Sequence, residues 1–142
     1  MSALTRRPDT SHHGWHVYFG DVRIGQIGKR AGVPKHIDAW GWTLGFHPGM
    51  SNRPTGGAPS FEVAREQFEA AWSRLAPTLS EEDFETWRRD RDFHAWKHRM
   101  WGTGHRLPTQ TRDGRAHCFC GEAITNADIE PHIQAAHSGI GT

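Results

Sequence analysis

Trp15, Val17 and Phe19 alternate with His16 and Tyr18, the two-residue period of a half-buried strand. Gly20-Asp21 follows as a hairpin turn. Val22 and Ile24 then alternate with Arg23 and Gly25, which predicts a second strand reaching Ile27. After a basic loop from Gly28 to His36, Trp40, Trp42, Leu44 and Phe46 alternate with Gly41, Thr43 and Gly45 in a third strand. Pro48 to Pro59 is rich in Gly and Pro and reads as a long loop.

The period then changes. Ser60 is a good N-cap, and Phe61, Ala64, Phe68, Ala71, Trp72 and Leu75 recur at three- and four-residue steps until Pro77 ends the stripe. Ser80 and Asp83 form a capping box for a second, charged helix. Its rings fall into two groups, Phe84 with Trp87 and Phe93 with Trp96 and Met100. At about 100° per residue these groups lie roughly opposite one another. That helix either breaks near residues 89–92 or is covered on two sides.

The pattern predicts an α+β fold. A three-stranded antiparallel sheet packs on one helix, a second charged helix follows, and a small unit closes the chain. The expected organisation is a flexible tail over 1–13, a β-β-β-α-α domain over 14–101, a polar linker over 102–116 and a terminal unit over 117–139. Trp15, Val17, Phe19, Val22, Ile24, Trp40, Trp42, Leu44 and Phe46 share the predicted core face. At about 1.5–3 kcal/mol each, their burial is on the scale a small domain needs.

Composition changes this picture in two places. With 142 residues, 35% hydrophobic content and 7 Trp against 1 Tyr, the core must be built on a few large rings. The 2 Cys are too few for a disulfide scaffold. The start of the chain has no apolar run of the signal-peptide kind, and no stretch approaches the length of a membrane span. A cytoplasmic protein with reduced thiols is therefore expected.

The Cys lie in a pattern of their own. Cys118-Phe119-Cys120 is followed by eleven residues, His132, four more residues and His137. Two thiolates and two imidazoles are a donor set that suits zinc. The segment resembles the two-Cys two-His zinc-finger family. The resemblance implies a hairpin carrying Cys118 and Cys120, a helix carrying His132 and His137, and a structural Zn2+ ion. Ile124 and Ile129 would form the small core beneath it, with Asp128 capping the helix and Pro131 in its first turn. This chain has one residue between the Cys where the family has two to four, and eleven before the first His where the family has twelve. A tighter turn is required, and His117 or His105 is the alternative ligand. The bland alternative is a metal-free helical tail.

Charge decides what such a finger does. Residues 112–142 carry Arg112 and Arg115 against Asp113, Glu122, Asp128 and Glu130. A negative finger is repelled by phosphate, so a stabilising or protein-contacting role is expected rather than base reading. The net charge of +1 conceals a basic first half: residues 14–60 hold five basic and two acidic side chains. His16, Tyr18, Arg23, Thr43 and His47 fall on the predicted solvent face of the sheet, with Lys29, Arg30 and Lys35 on the adjoining loop. A face without carboxylates can approach a polyanion, which makes nucleic acid the first expected partner. The β-β-β-α order is similar to the arm-binding domains of phage integrases and the plant ethylene-response DNA-binding fold. That similarity implies DNA contact through the sheet. The competing class is a protein-interaction module using the acidic finger and exposed Trp residues.

Enzyme chemistry has little to stand on. His94 and His98 are four apart with Asp90 four before, but position 95 is Ala, so the general-base Glu of the metalloprotease motif is absent. No phosphate loop or nucleophile elbow is present, and the Cys spacing is not the thioredoxin one. A non-enzymatic protein is expected, with a His-metal enzyme around His94 and His98 as the third reading. Trp87, Trp96 and Trp101 have no assigned role.

Overall fold

The computed structural model describes residues 4–34 and 37–142, and the chain divides into a first unit ending at Phe84 and a second, Glu85–Thr142. The division falls inside one helix rather than in the stretch 102–116 expected to be a linker. That stretch contains the fully buried Pro108 in a short 3-10 turn, Pro108–Gln110, and the start of a strand at Arg115.

The first unit is an antiparallel meander of five strands in chain order: β1 Leu4–Pro8, β2 Gly14–Phe19, β3 Val22–Lys29, β4 Trp40–Leu44 and β5 Thr55–Ala58. The α+β class agrees with the sequence reading, whereas three strands were expected and part of 1–13 was taken as a tail. Both extra strands lack the apolar alternation on which that reading relied. β1 has only Leu4 as an aliphatic residue. It is held by pairing from Leu4↔Phe19 to Pro8↔Trp15 and by its arginines. The Arg6 guanidinium lies 4.5 Å from the Trp15 ring and 4.8 Å from Phe61, and Arg7 lies 4.2 Å over Tyr18. Pro8 is tolerated because β1 is an edge. β5 is Thr-Gly-Gly-Ala and reads as a loop. At Gly56 a Cβ would stand 2.7 Å from Trp42 Nε1, so glycine is what lets this strand close on β4.

Helix α1, Phe61–Leu75, covers the sheet as its stripe predicts. The Ser60 side chain accepts from the Val63 N–H, satisfying one of the orphan donors of the first turn. Ala64, Phe68, Ala71, Trp72 and Leu75 are buried with Val17, Val22, Ile24, Ile27, Trp42, Leu44 and Phe46. Trp15 and Trp40 are only half-buried, and Phe19 stays exposed at the rim while its ring lies 5.2 Å from Trp72. A register shift between Val17 and Tyr18 changes the phase of β3. Gly25 then abuts Phe68 and Ile27 is buried, while Gln26 is exposed.

The second long helix, α2, runs unbroken from Glu81 to Gly102. The Ser80 N–H donates to Asp83 Oδ2 (2.8 Å), as the capping box requires. Phe84 belongs to the first unit, whereas Trp87, Phe93, Trp96 and Met100 belong to the second. Phe84 stacks on Phe46 and Phe19 in the first, while Trp96 and Met100 lie in the core of the second.

The second unit combines that part of α2 with a small hairpin, β6 Arg115–His117 and β7 Ala123–Thr125, and helix α3, Ile129–Ala136. Trp96, Met100, Cys118, Ile124 and Ile133 form its buried cluster, with Ile129, Phe93, Leu107, Phe119 and Ile140 packed around it. Asp128 was expected to cap α3. Its Oδ2 instead accepts from the N–H and hydroxyl of Thr125, both at 2.9 Å, and so caps the short turn Asn126–Asp128. The buried Asp92 of α2 accepts from the N–H groups of Gly139 (3.0 Å) and Gly141 (3.1 Å), tying down the segment after α3.

Candidate metal centre

The hairpin–helix order places Cys118 and Cys120 just after β6, His132 in the first turns of α3, and His137 at the residue that ends it. The one-residue spacing between the Cys is met by a tight turn. The Cys118 N–H donates to Glu122 O (2.8 Å), the Gly121 N–H donates to Cys118 O (2.8 Å), and Gly121 takes φ +95°. Both thiols thereby face the two imidazoles. Cys118 Sγ stands 3.4 Å from His137 Nε2, and Cys120 Sγ stands 3.5 Å from His132 Nε2. One ligand atom from each of the four residues lies within 4.8 Å of all the others. The four residues can hold a metal ion, and neither alternative ligand, His117 nor His105, belongs to the cluster.

Surrounding groups orient this cluster. Glu122 Oε2 lies 3.0 Å from His132 Nδ1, so a carboxylate takes one ring nitrogen and leaves Nε2 for the cluster. The Trp96 indole N–H donates to Cys118 Sγ (3.3 Å), a hydrogen bond that strengthens once the sulfur is a thiolate. The Phe119 ring packs 4.7 Å from His137. Cys118 is fully buried and Cys120 is exposed. Burial pushes the Cys118 thiol up and outweighs the Cys120 N–H and the Trp96 indole, which favour the thiolate, so a bound cation must displace the proton. Burial pushes His137 down, toward the neutral imidazole that ligates. With all four positions filled by protein, a metal held here has no open site for substrate, which is the pattern of a structural centre. Trp96 escaped the sequence reading because its partner sulfur is 22 residues away.

The predicted nucleic-acid residues meet different fates. Arg23, Lys29, Arg30 and Thr43 are exposed, and Tyr18 lies under Arg7. His16 is half-buried, with Nε2 3.6 Å from Asp9 Oδ2. Lys35 lies outside the described residues. His47 is not on the solvent face. The strand ends at Leu44, the alternation stops with it, and the His47 ring is buried. Its Nε2 is 2.9 Å from Asp83 Oδ1, and its Nδ1 accepts from the Gly49 N–H (3.1 Å). Lys29, Arg30 and Thr43 border one groove, whereas Arg23 sits at the opposite end of β3. Gln26 and Thr55 share that groove. The shift in β3 and the glycine-rich β5 hid them from the sequence.

His94 and His98 are exposed on α2. His94 Nε2 lies 3.5 Å from Asp90 Oδ1, and neither His belongs to a metal-capable group among the described residues. Among the described residues no helix is long and apolar enough to cross a membrane. Compared with protein-family models, curated proteins and solved structures, the chain gives no match.

Proposed function

We propose that the chain is a non-enzymatic binding protein in which zinc closes the second unit and the exposed face of the sheet contacts nucleic acid. The observation that carries the zinc reading is the convergence of Cys118, Cys120, His132 and His137 on one point. Zinc–sulfur bonds of about 2.3 Å and zinc–nitrogen bonds of about 2.05 Å at tetrahedral angles separate S from N by about 3.6 Å. The observed separations of 3.4 and 3.5 Å fit that spacing. A zinc ion there would supply four bonds that fix hairpin to helix, and no chemistry on a substrate.

The nucleic-acid reading rests on the sheet face, where Arg7, Arg23 and Arg30 are exposed and, among the described residues, no carboxylate pairs with any of them. The acidic second unit would face away from phosphate rather than read bases.

Metal analysis of the purified chain tests the first half. One zinc per chain is expected, lost on Cys118→Ser or His132→Ala, and a folded chain without metal would reject it. For the second half, oligonucleotide affinity should fall linearly on a log–log plot against salt. Salt-insensitive or absent binding would reject it. A competing protein-interaction reading draws on Trp101, whose ring is 79% exposed. It predicts a partner lost on Trp101→Ala with oligonucleotide affinity unchanged.

A further inference from the structure

The exposed face of the sheet is arranged in rows. Pairing sets Gly14 beside Gly28, Gly28 beside Gly41, and Gly41 beside Gly57, across β2, β3, β4 and β5. The next row of the same face carries Arg7, His16, Gln26, Thr43 and Thr55. Gly28, Gly41, Gln26, Thr43 and Thr55 of these two rows line a groove of about 360 Å³, within the range of small-ligand sites.

The glycines have an occupant. The Arg30 side chain lies flat across β4 and β5. A Cβ on Gly41 would stand 2.7 Å from its Nε, and one on Gly57 would stand 3.2 Å from Nη2. Its backbone N–H is anchored on Ala39 O (2.6 Å), and Nη2 donates to Gly56 O (3.3 Å). Among the described residues that is the only hydrogen bond of a guanidinium with five N–H donors. Arg30 is thus a planar cation held on the floor of this groove with its edge and face open. The carboxylate in the wall, Asp9, is engaged elsewhere. Ser11 donates to Oδ1 through its N–H and hydroxyl, and His12 and His16 lie 3.5 and 3.6 Å from Oδ2. The Gln26 amide and the Thr43 hydroxyl make no hydrogen bond among the described residues and border the same groove. Cation, flat floor and free polar edges match one nucleotide: phosphate on the open edge of Arg30, base over the floor at Gly28, base edge on Gln26 and Thr43.

Width decides between paired and unpaired strands. Five strands at about 4.8 Å put the outer two about 19 Å apart. The DNA major groove is about 12 Å wide and admits a helix or a two-stranded ribbon. This five-stranded sheet is too broad for it. We infer that the groove beside Arg30 receives a nucleotide of an unpaired nucleic-acid strand; this rests on the sheet-face reading above and narrows its partner.

The test is fluorescence anisotropy of the full zinc-loaded chain with a labelled strand of about 12 nucleotides. Unpaired DNA, unpaired RNA of the same sequence, and the DNA duplex are measured in parallel. The unpaired strands should bind at least about tenfold tighter than the duplex, and the DNA and RNA arms report whether a 2′-hydroxyl matters. Arg30→Ala should lose about tenfold or more in affinity. Arg30→Lys keeps the charge but not the flat fork, and should lose a large part of the same affinity. Gly41→Ala, which displaces the guanidinium, should match it, with thermal melting showing that the fold persists. Duplex binding as tight as the single strand, still sensitive to Arg30, overturns the inference and leaves the sheet-face reading standing. Single-strand binding indifferent to Arg30→Ala overturns it as well. Binding of neither form removes both.

Discussion

The two units of this chain solve the same problem with different means. In the first, a sheet and a helix bury a continuous set of large side chains, from Val17 and Ile24 to Phe68 and Trp72, and none of its described residues belongs to a metal-capable cluster. In the second, the buried cluster is five residues, and one of them, Cys118, belongs to the metal-capable group. Small units bury too little surface to offset chain entropy, and a structural metal makes up the difference. The contrast teaches that the sheet half and the Cys/His half of the sequence should respond to different perturbations.

The largest expected effect separates them outright. Stripping metal with a chelator should unfold Glu85–Thr142, because structural zinc contributes on the order of 10 kcal/mol to units of this kind. Amide resonances of that segment should collapse while those of the first unit persist. Loss of both halves together would abolish the distinction. The reverse perturbation is Phe68→Ala. Its ring is 1% exposed and fills the space over Gly25, so truncation should cost about 3–5 kcal/mol. Denaturation should show the first unit melting early, with zinc stoichiometry unchanged.

Legibility in the sequence followed the same divide. Where one physical cause acted at short range, the reading was direct. The Ser60 cap and the stripe from Phe61 to Leu75 returned as α1, and Cys118, Cys120, His132 and His137 came together. Where the cause was remote, it was silent. β1 is held by arginines over rings, and β5 by glycines that admit Trp42 and Arg30. Neither leaves a period in the sequence. His47 was misplaced because alternation was carried past the end of β4. The opposed rings of α2 were correctly seen as a conflict, and its resolution is that one helix contributes to two units. Trp96 acquired a role only when the Cys118 sulfur was found against its N–H.

A buried or capping carboxylate in each unit sharpens the comparison on a smaller scale. Asp92, in the second unit, accepts from Gly139 and Gly141 and is paired with Arg91 Nε at 3.1 Å. Burial pushes its carboxyl up. The Gly139 N–H, the Arg91 guanidinium and the Gly141 N–H together outweigh that, and it stays below the ordinary carboxylate value. Asp92→Ala strands two N–H groups and should cost about 3 kcal/mol. The second unit should lose stability, and zinc should be released at lower chelator concentration. A first unit weakened equally would contradict the assignment.

Asp83 is the counterpart in the first unit and the smallest of these effects. Its Oδ2 accepts from the Ser80 N–H at 2.8 Å and its Oδ1 meets His47 Nε2 at 2.9 Å, so one side chain caps α2 and holds a buried ring. The Ser80 N–H is the main cause that holds its carboxyl below the ordinary value, with His47 assisting against some desolvation. A carboxyl depressed in the folded state contributes stability that is fully present above its unfolded value of about 3.9 and is lost as pH falls through the lower folded value. Asp83→Asn keeps one acceptor but removes the charge, and should cost about 1 kcal/mol at neutral pH. The difference between wild type and Asp83→Asn, read from denaturation of the first unit, should be flat above about pH 5 and shrink below about pH 4. Among its described residues the first unit holds no metal-capable cluster, so this acid limb should persist in chelator, whereas any acid sensitivity from the ligands of the second unit should vanish there. A difference that grows as pH falls would mean that Asp83 is held above its ordinary value, and that the cap does not work as its geometry indicates.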